Sequence, residues 1–164
     1  MRYEHIIHTI APIYDQNSKI LILGTMPSPK SREVNFYYGH PQNRFWRVIS
    51  AVRGEEVPQT IQQKTEFLFR NRIALWDTLS SCDITGAADS SIKNAQPNDL
   101  SRILSTADIK MIFTTGKTAY KYYCAYQRDK TGIDAVCLPS TSPANARMKA
   151  EDLIEEYKII NRYL

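Results

Sequence analysis

Four short apolar runs punctuate the chain: Ile20–Gly24, Arg72–Trp76, Met111–Thr114 and Ala135–Leu138. Each is bounded by polar or turn residues and none alternates, the pattern of a strand buried on both faces. Between them, apolar positions recur at three- and four-residue steps. Phe45, Val48/Ile49 and Val52 form one stripe, Ile61, Thr65 and Leu68 a weaker one, and Ala119, Tyr122/Tyr123 and Tyr126 a third. Ala150, Leu153/Ile154, Tyr157, Ile160 and Leu164 form the strongest, predicting a long amphipathic helix. Repeated strand–helix alternation predicts an α/β fold: three layers, α/β/α, around a central four-stranded parallel sheet. No repeat, linker or low-complexity tract divides residues 1–164, so one domain is expected.

In such sheets the ligand site lies at the carboxyl ends of the strands. The segments following the four runs are Thr25-Met26-Pro27-Ser28, Asp77-Thr78, Thr115-Gly116-Lys117 and Pro139-Ser140-Thr141-Ser142-Pro143. They are predicted to converge on one crevice. Beyond the first lies Tyr37-Tyr38-Gly39-His40-Pro41-Gln42-Asn43-Arg44-Phe45-Trp46, where rings that can stack on a base stand beside an amide and a guanidinium.

Charge sharpens this picture. Residues 19–53 hold six cations against the single acid Glu33, a surplus of five in a chain whose net charge is +4. A local basic excess attracts phosphates. The three cysteines, Cys82, Cys124 and Cys137, match no zinc or disulfide framework and are too few for an iron–sulfur cluster, which points to a reducing, cytoplasmic setting. The segment MRYEHIIHTIAPIYDQ lacks the apolar stretch of a signal peptide, and no window suits a membrane span.

Several familiar chemistries are excluded. Thr115-Gly116-Lys117-Thr118 is not a P-loop, because the position that requires the earlier glycine is Met111. No G-x-G-x-x-G follows a strand, and there is no G-x-S-x-G elbow or H-E-x-x-H. His5, His8 and His40 form no ligand cluster by spacing, and no metal site is expected.

Four ordered blocks resemble the uracil-DNA glycosylase superfamily, and within it the hypoxanthine-DNA (deoxyinosine) glycosylase branch. They are Leu23-Gly24-Thr25-Met26-Pro27-Ser28, Tyr37 to Trp46, Ala74-Leu75-Trp76-Asp77, and Leu138-Pro139-Ser140-Thr141-Ser142-Pro143-Ala144-Asn145. The block His40–Trp46 also resembles the mismatch-specific branch. The resemblance implies a monofunctional glycosylase without a cofactor, acting on double-stranded or single-stranded DNA that contains a deaminated base. It is expected to act as a monomer. Most branches carry Asp or Asn where this chain has Met26, whose side chain can neither position nor activate water. In the hypoxanthine branch the catalytic role falls instead to the residue matching Asn43. The resemblance implies Phe-Asn-Gly in many relatives of the branch where this chain has Thr114-Thr115-Gly116.

The residues themselves admit these roles and plainer ones. Asn43 can donate to a departing base or hold water, or it can cap a helix after Pro41. Neighbouring residues on an extended chain face opposite ways, so one of Tyr37 and Tyr38 belongs to the core; Tyr38, beside Gly39, is the candidate to stack on a flipped base. Asp77 can accept from a purine N–H or orient Asn43 or water, and is equally suited to a helix cap. Gly24, Thr25, Met26 and Thr115 complete the expected base-binding set. Pro27, Ser28, His40, Arg44 and Lys117 are candidate DNA contacts. Ser140 and Ser142 before Pro143 predict a helix start able to hold phosphate, with Asn145 and Arg147 reaching the DNA beyond it.

Three functions remain open at this level. One is a DNA glycosylase acting on deaminated bases, preferably hypoxanthine, or on uracil or mismatches. Another is a non-catalytic nucleic-acid-binding module on the same fold. The third, a hydrolase of free nucleosides, is disfavoured by the basic segment, since a nucleoside brings no phosphate.

Overall fold

A computed structural model describes residues 2–164. The predicted strands form a parallel sheet of β2 (Ile20–Gly24), β3 (Ile73–Asp77), β6 (Met111–Thr115) and β7 (Ala135–Leu138), in the order β3-β2-β6-β7. β2 and β3 are buried at every position, which is why they read as unbroken apolar runs. In β2, Ile20 pairs with Ile73 and with Met111, and Gly24 reaches the level of Asp77.

The chain leaves β2 toward one edge of the sheet and leaves β6 toward the other. With right-handed crossovers, the two connections lie on opposite faces, and a crevice opens between the carboxyl ends of β2 and β6. The β2–β3 connection carries α1 (Pro29–Val34), α2 (Phe45–Val52) and α3 (Ile61–Arg70); α4 (Ser101–Leu104) precedes β6, and α5 (Lys117–Tyr126) with α6 (Arg128–Thr131) links β6 to β7. α7 (Ala150–Tyr157) packs against α2.

The sequence reading omits a second, antiparallel sheet of β1 (Glu4–Ile7), β4 (Leu79–Ile84) and β5 (Lys93–Pro97), in the order β1-β4-β5. Only Thr78 separates β3 from β4. The register between β4 and β5 shifts twice, so the alternation that announces a half-buried strand is broken. Ile6, Leu79, Cys82, Ile84 and Tyr122 form its own small core.

Three helix expectations need correction. In α3 the buried residues are Phe67 and Leu68, whereas Ile61 is 48% exposed at the first turn. The C-terminal stripe is α-helical only to Tyr157 and tightens into a 3-10 segment over Lys158–Tyr163. No helix begins at Pro143; residues 139–149 form a chain of turns, and α7 starts at Ala150.

Candidate active site

The ends of all four parallel strands do converge. A crevice of about 350 Å³ is lined by Gly24 to Ser28, Tyr38, His40, Asn43, Asp77, Thr115 and Ser140 to Pro143. A neighbouring groove of about 740 Å³ shares Thr115, Ser140 and Ser142 and adds Lys117 and Asn145. Arg147 lines neither.

Asn43 sits where the loop enters α2. Its Oδ1 accepts the Phe45 N–H at 2.9 Å and the Thr141 hydroxyl at 2.8 Å. Both lone pairs are therefore in use, and the amide orientation is fixed. Nδ2, with no partner among the described residues, is the free end, and Asn43 lines the crevice. The capping role and an active-site role coexist: one atom of the amide serves each. What the side chain offers a ligand is a hydrogen-bond donor, not a base.

Opposite, Gly24 brings β2 close to three polar side chains. A Cβ at this position would stand 2.5 Å from Asp77 Oδ1, 3.3 Å from the Tyr38 hydroxyl and 3.5 Å from Thr115 Oγ1. Tyr38 and Thr115 share a hydrogen bond of 3.1 Å. Asp77 Oδ2 is bonded at 2.7 Å to Nε2 of His8, and the two side chains are only 6% and 1% exposed. His8 follows β1, and its ring packs against Tyr37 and, edge-on, against Trp76. Its position could not be read from spacing, because the antiparallel sheet brings it across 69 residues to Asp77.

Tyr37 is in the core, its hydroxyl donating to the carbonyls of Ile10 and Ala11. Tyr38 is held at φ +51°, a left-handed conformation that is costly for a bulky residue. Its ring stacks on Phe45 with centroids 3.9 Å apart, which corrects the simple stacking role: one face is already covered. Burial and the charge of Asp77 push its phenol well above the ordinary range, so it remains a neutral hydroxyl.

Several expected DNA contacts are internal. The Arg44 guanidinium donates to the carbonyls of Thr141, Ser142, Asn145 and Met148. It shapes the turn chain that holds Thr141 and has little capacity left for phosphate. Asn145 donates to Ser140 O at 2.9 Å within the same loop. Ser28 caps α1 through the Ser31 N–H. His40 Nδ1 accepts the Gln42 N–H. Lys117 and Arg147 are exposed and make no ion pair among the described residues.

The basic surplus also disperses on folding. Lys19 precedes β2, at the far end of the sheet from the crevice. Lys30 pairs with Glu33, and Arg53 bonds the side chains of Asn71 and Asn161. Of the six cations of residues 19–53, Lys19, Lys30, Arg44 and Arg53 are thus remote from the crevice or engaged within the fold.

Asp89 is a second carboxyl that the sequence reading passed over. It lies on the 3-10 turn Asp89–Ser91 between β4 and β5 and lines both the crevice and the groove. Desolvation foremost, then the charge of Asp77, raise it above the usual carboxylate range, while a Thr118 hydroxyl opposes the shift. No group of three His, Cys, Asp or Glu side chains among the described residues is arranged to hold a metal ion.

The comparisons with known proteins agree with this geometry. The family model described as the uracil DNA glycosylase superfamily matches residues 11–164. A hypoxanthine DNA glycosylase of Methanosarcina barkeri is 35% identical over 138 residues, which cover 83% of this chain and 86% of that protein. One from Methanosarcina acetivorans is 34% identical over 137 residues, covering 82% and 85%. A solution NMR structure of a Methanosarcina acetivorans protein, described provisionally as a uracil DNA glycosylase, superposes with a TM-score of 0.78 at 30% identity, covering 94% of this chain and 98% of that one. With the family matched from Ala11 to Leu164 over a crevice built at the ends of its strands, the chain belongs to the uracil DNA glycosylase superfamily.

Proposed function

We propose that this protein excises deaminated bases, hypoxanthine foremost, from DNA. As a superfamily member it is a DNA N-glycosylase, a hydrolase of the N-glycosyl bond. The preference for hypoxanthine is supported by the names of two relatives at about 35% identity. The observation that carries the chemical reading is the locked amide of Asn43, whose only free function is a donor at the crevice.

The target nucleotide must first leave the stack, at a cost of a few kcal/mol that is smallest for a mispaired base. Rupture of C1′–N9 leaves an oxocarbenium-like sugar and an electron pair on the base. A fixed donor aimed at that developing negative charge stabilises the transition state without reorganisation. Water then adds to C1′ and releases a proton, leaving an abasic site. Met26, half-buried against the small core, has no group to activate that water. Of the crevice residues, Asn43 offers the fixed donor for the departing base, and the carboxyl groups of Asp77 and Asp89 are the ones able to orient that water.

The test uses end-labelled duplexes carrying one deoxyinosine or one deoxyuridine, incubated with EDTA and treated with alkali. An alkali-dependent nick at deoxyinosine is expected, with Asn43→Ala lowering the single-turnover rate about 100-fold or more. A nick at deoxyuridine alone would move the specificity. No nick at either, with DNA binding retained, would overturn the enzymatic reading in favour of a binding module.

A further inference from the structure

A base held in the crevice and a sugar-phosphate lying outside it meet at the glycosidic bond, so the reacting carbon belongs where the two spaces join. The crevice and the neighbouring groove share six residues: Ala87, Asp89, Thr115, Ser140, Ser142 and Ala144. Asp89 alone among them carries a carboxyl; the others offer only methyl groups and hydroxyls.

The remaining polar groups divide to either side of this junction. Tyr38, Asn43 and Asp77 line the crevice and not the groove, on the side of the base. Lys117, a cation suited to a phosphate, lines the groove and not the crevice. Asp77 is buried over Gly24, with Oδ2 bonded to His8. Asp89 is instead exposed, on the 3-10 turn between β4 and β5, where it meets solvent water. The hydroxyl of Thr118, in the first turn of α5 on the groove side, hydrogen-bonds its carboxyl. Met26 lines the crevice and carries no group that takes a proton from water.

We infer that Asp89 is the catalytic acceptor for the attacking water: its carboxylate, steadied by Thr118 at the junction, orients a water toward C1′ and takes a proton from it as the C–O bond forms. The inference rests on the proposed glycosylase reading and assigns the half of the reaction that Asn43 leaves open. The C1′–N9 bond breaks with its electron pair staying on the base, where Asn43 Nδ2 meets the developing charge. The water oxygen bonds C1′, one proton passes to Asp89, and the hydroxyl remains on the abasic sugar. The base then takes up a proton from solvent, and Asp89 returns its own. A carboxylate beside the oxocarbenium-like sugar also stabilises the transition state.

The test is single-turnover excision from a duplex carrying one deoxyinosine, with protein in excess, for the parent, Asp89→Asn and Asp89→Ala. Binding of the same duplex is read by fluorescence anisotropy with each substitution placed in an Asn43→Ala background. The side chain is exposed, so neither substitution disturbs the core. Asp89→Asn is expected to lower the rate about 100-fold while Kd moves less than about 3-fold. Added sodium formate, a small carboxylate that fits the space left by truncation, should raise the rate of Asp89→Ala about 10-fold or more and leave Asp89→Asn unchanged.

A rate for Asp89→Asn within about 3-fold of the parent would overturn the inference. So would a fall in rate matched by a fall in affinity, which would make Asp89 a DNA contact, or a fall that formate does not reverse in Asp89→Ala, which would make its role structural. If the parent excises no base, the glycosylase reading fails and takes this inference with it. If the parent excises hypoxanthine and Asp89→Asn does so equally well, this inference alone fails.

Discussion

Single side chains here divide their atoms between architecture and chemistry. Asn43 uses its oxygen to tie α2 to Thr141 and keeps its nitrogen for the crevice. Arg44, one residue on, is given over to architecture, holding four carbonyls of residues 141–148. Hydrogen bonds to a charged group contribute about 1.5–3 kcal/mol each, with the last ones made adding less than the first. Arg44→Met is therefore expected to destabilise the fold by ~3 kcal/mol in urea denaturation and to lower excision by loosening Thr141 behind Asn43. Arg44→Lys should rescue little, since a point charge cannot span four carbonyls. A loss below ~0.5 kcal/mol would mean that the turn chain holds itself.

At the scale of elements, close approach decides the geometry. β2 ends in glycine because Asp77, Tyr38 and Thr115 crowd its last Cα. Gly24→Ala places a methyl within 2.5 Å of Asp77 Oδ1, a contact that ordinary structures do not contain. Asp77 is held by His8 and cannot retreat without breaking that bond. Excision by Gly24→Ala is expected to fall about 100-fold or more, with a modest drop in thermal midpoint, because the clash falls on the site rather than on the core. Excision rates and calorimetry on the same preparations check this; full activity would show that the carboxylate is free to move.

Across the whole molecule, the small antiparallel sheet adds Asp89 to a crevice otherwise built by the parallel one and sets His8 behind Asp77 at its wall. Asp89 is exposed on its turn, so solvent screens the desolvation and the charge of Asp77 that push its carboxyl upward in the folded state, and the effect on stability is small. Its contribution to stability is thus complete at acid pH, below the ordinary value of 3.8, and is lost as pH rises through the raised one. Asp89→Asn, which cannot ionise, should gain stability relative to the parent as pH increases from about 4 to about 7, the difference vanishing at the acid end. Urea denaturation across that range reads it, and a difference independent of pH would remove Asp89 from the titrating groups of the site.

Sequence by itself determined what local periodicity and order encode. β2, β3 and β6 were legible because burial on both faces demands continuous apolar residues; β7 reads as an equally apolar run although, at the sheet edge, only Leu138 is fully buried. α2 was legible because every residue of its predicted stripe is buried. The meeting of Gly24, Asp77, Thr115 and Ser140 at one crevice follows from strand order alone, since parallel strands share one carboxyl end. Tertiary structure decided the rest, because those features depend on contacts distant in the chain. β4 was hidden by its irregular register, and α7 gives way to a 3-10 turn that periodicity does not distinguish. Lys30, Arg44 and Arg53 of the basic segment 19–53 found partners within the fold, because charge close in sequence need not face the same ligand in space. Arg44 and Asn145 turned inward because unpaired loop carbonyls need donors. His8 became part of the site only when β1 was laid beside β4, a pairing of residues nearly eighty apart in the chain that no local pattern can specify.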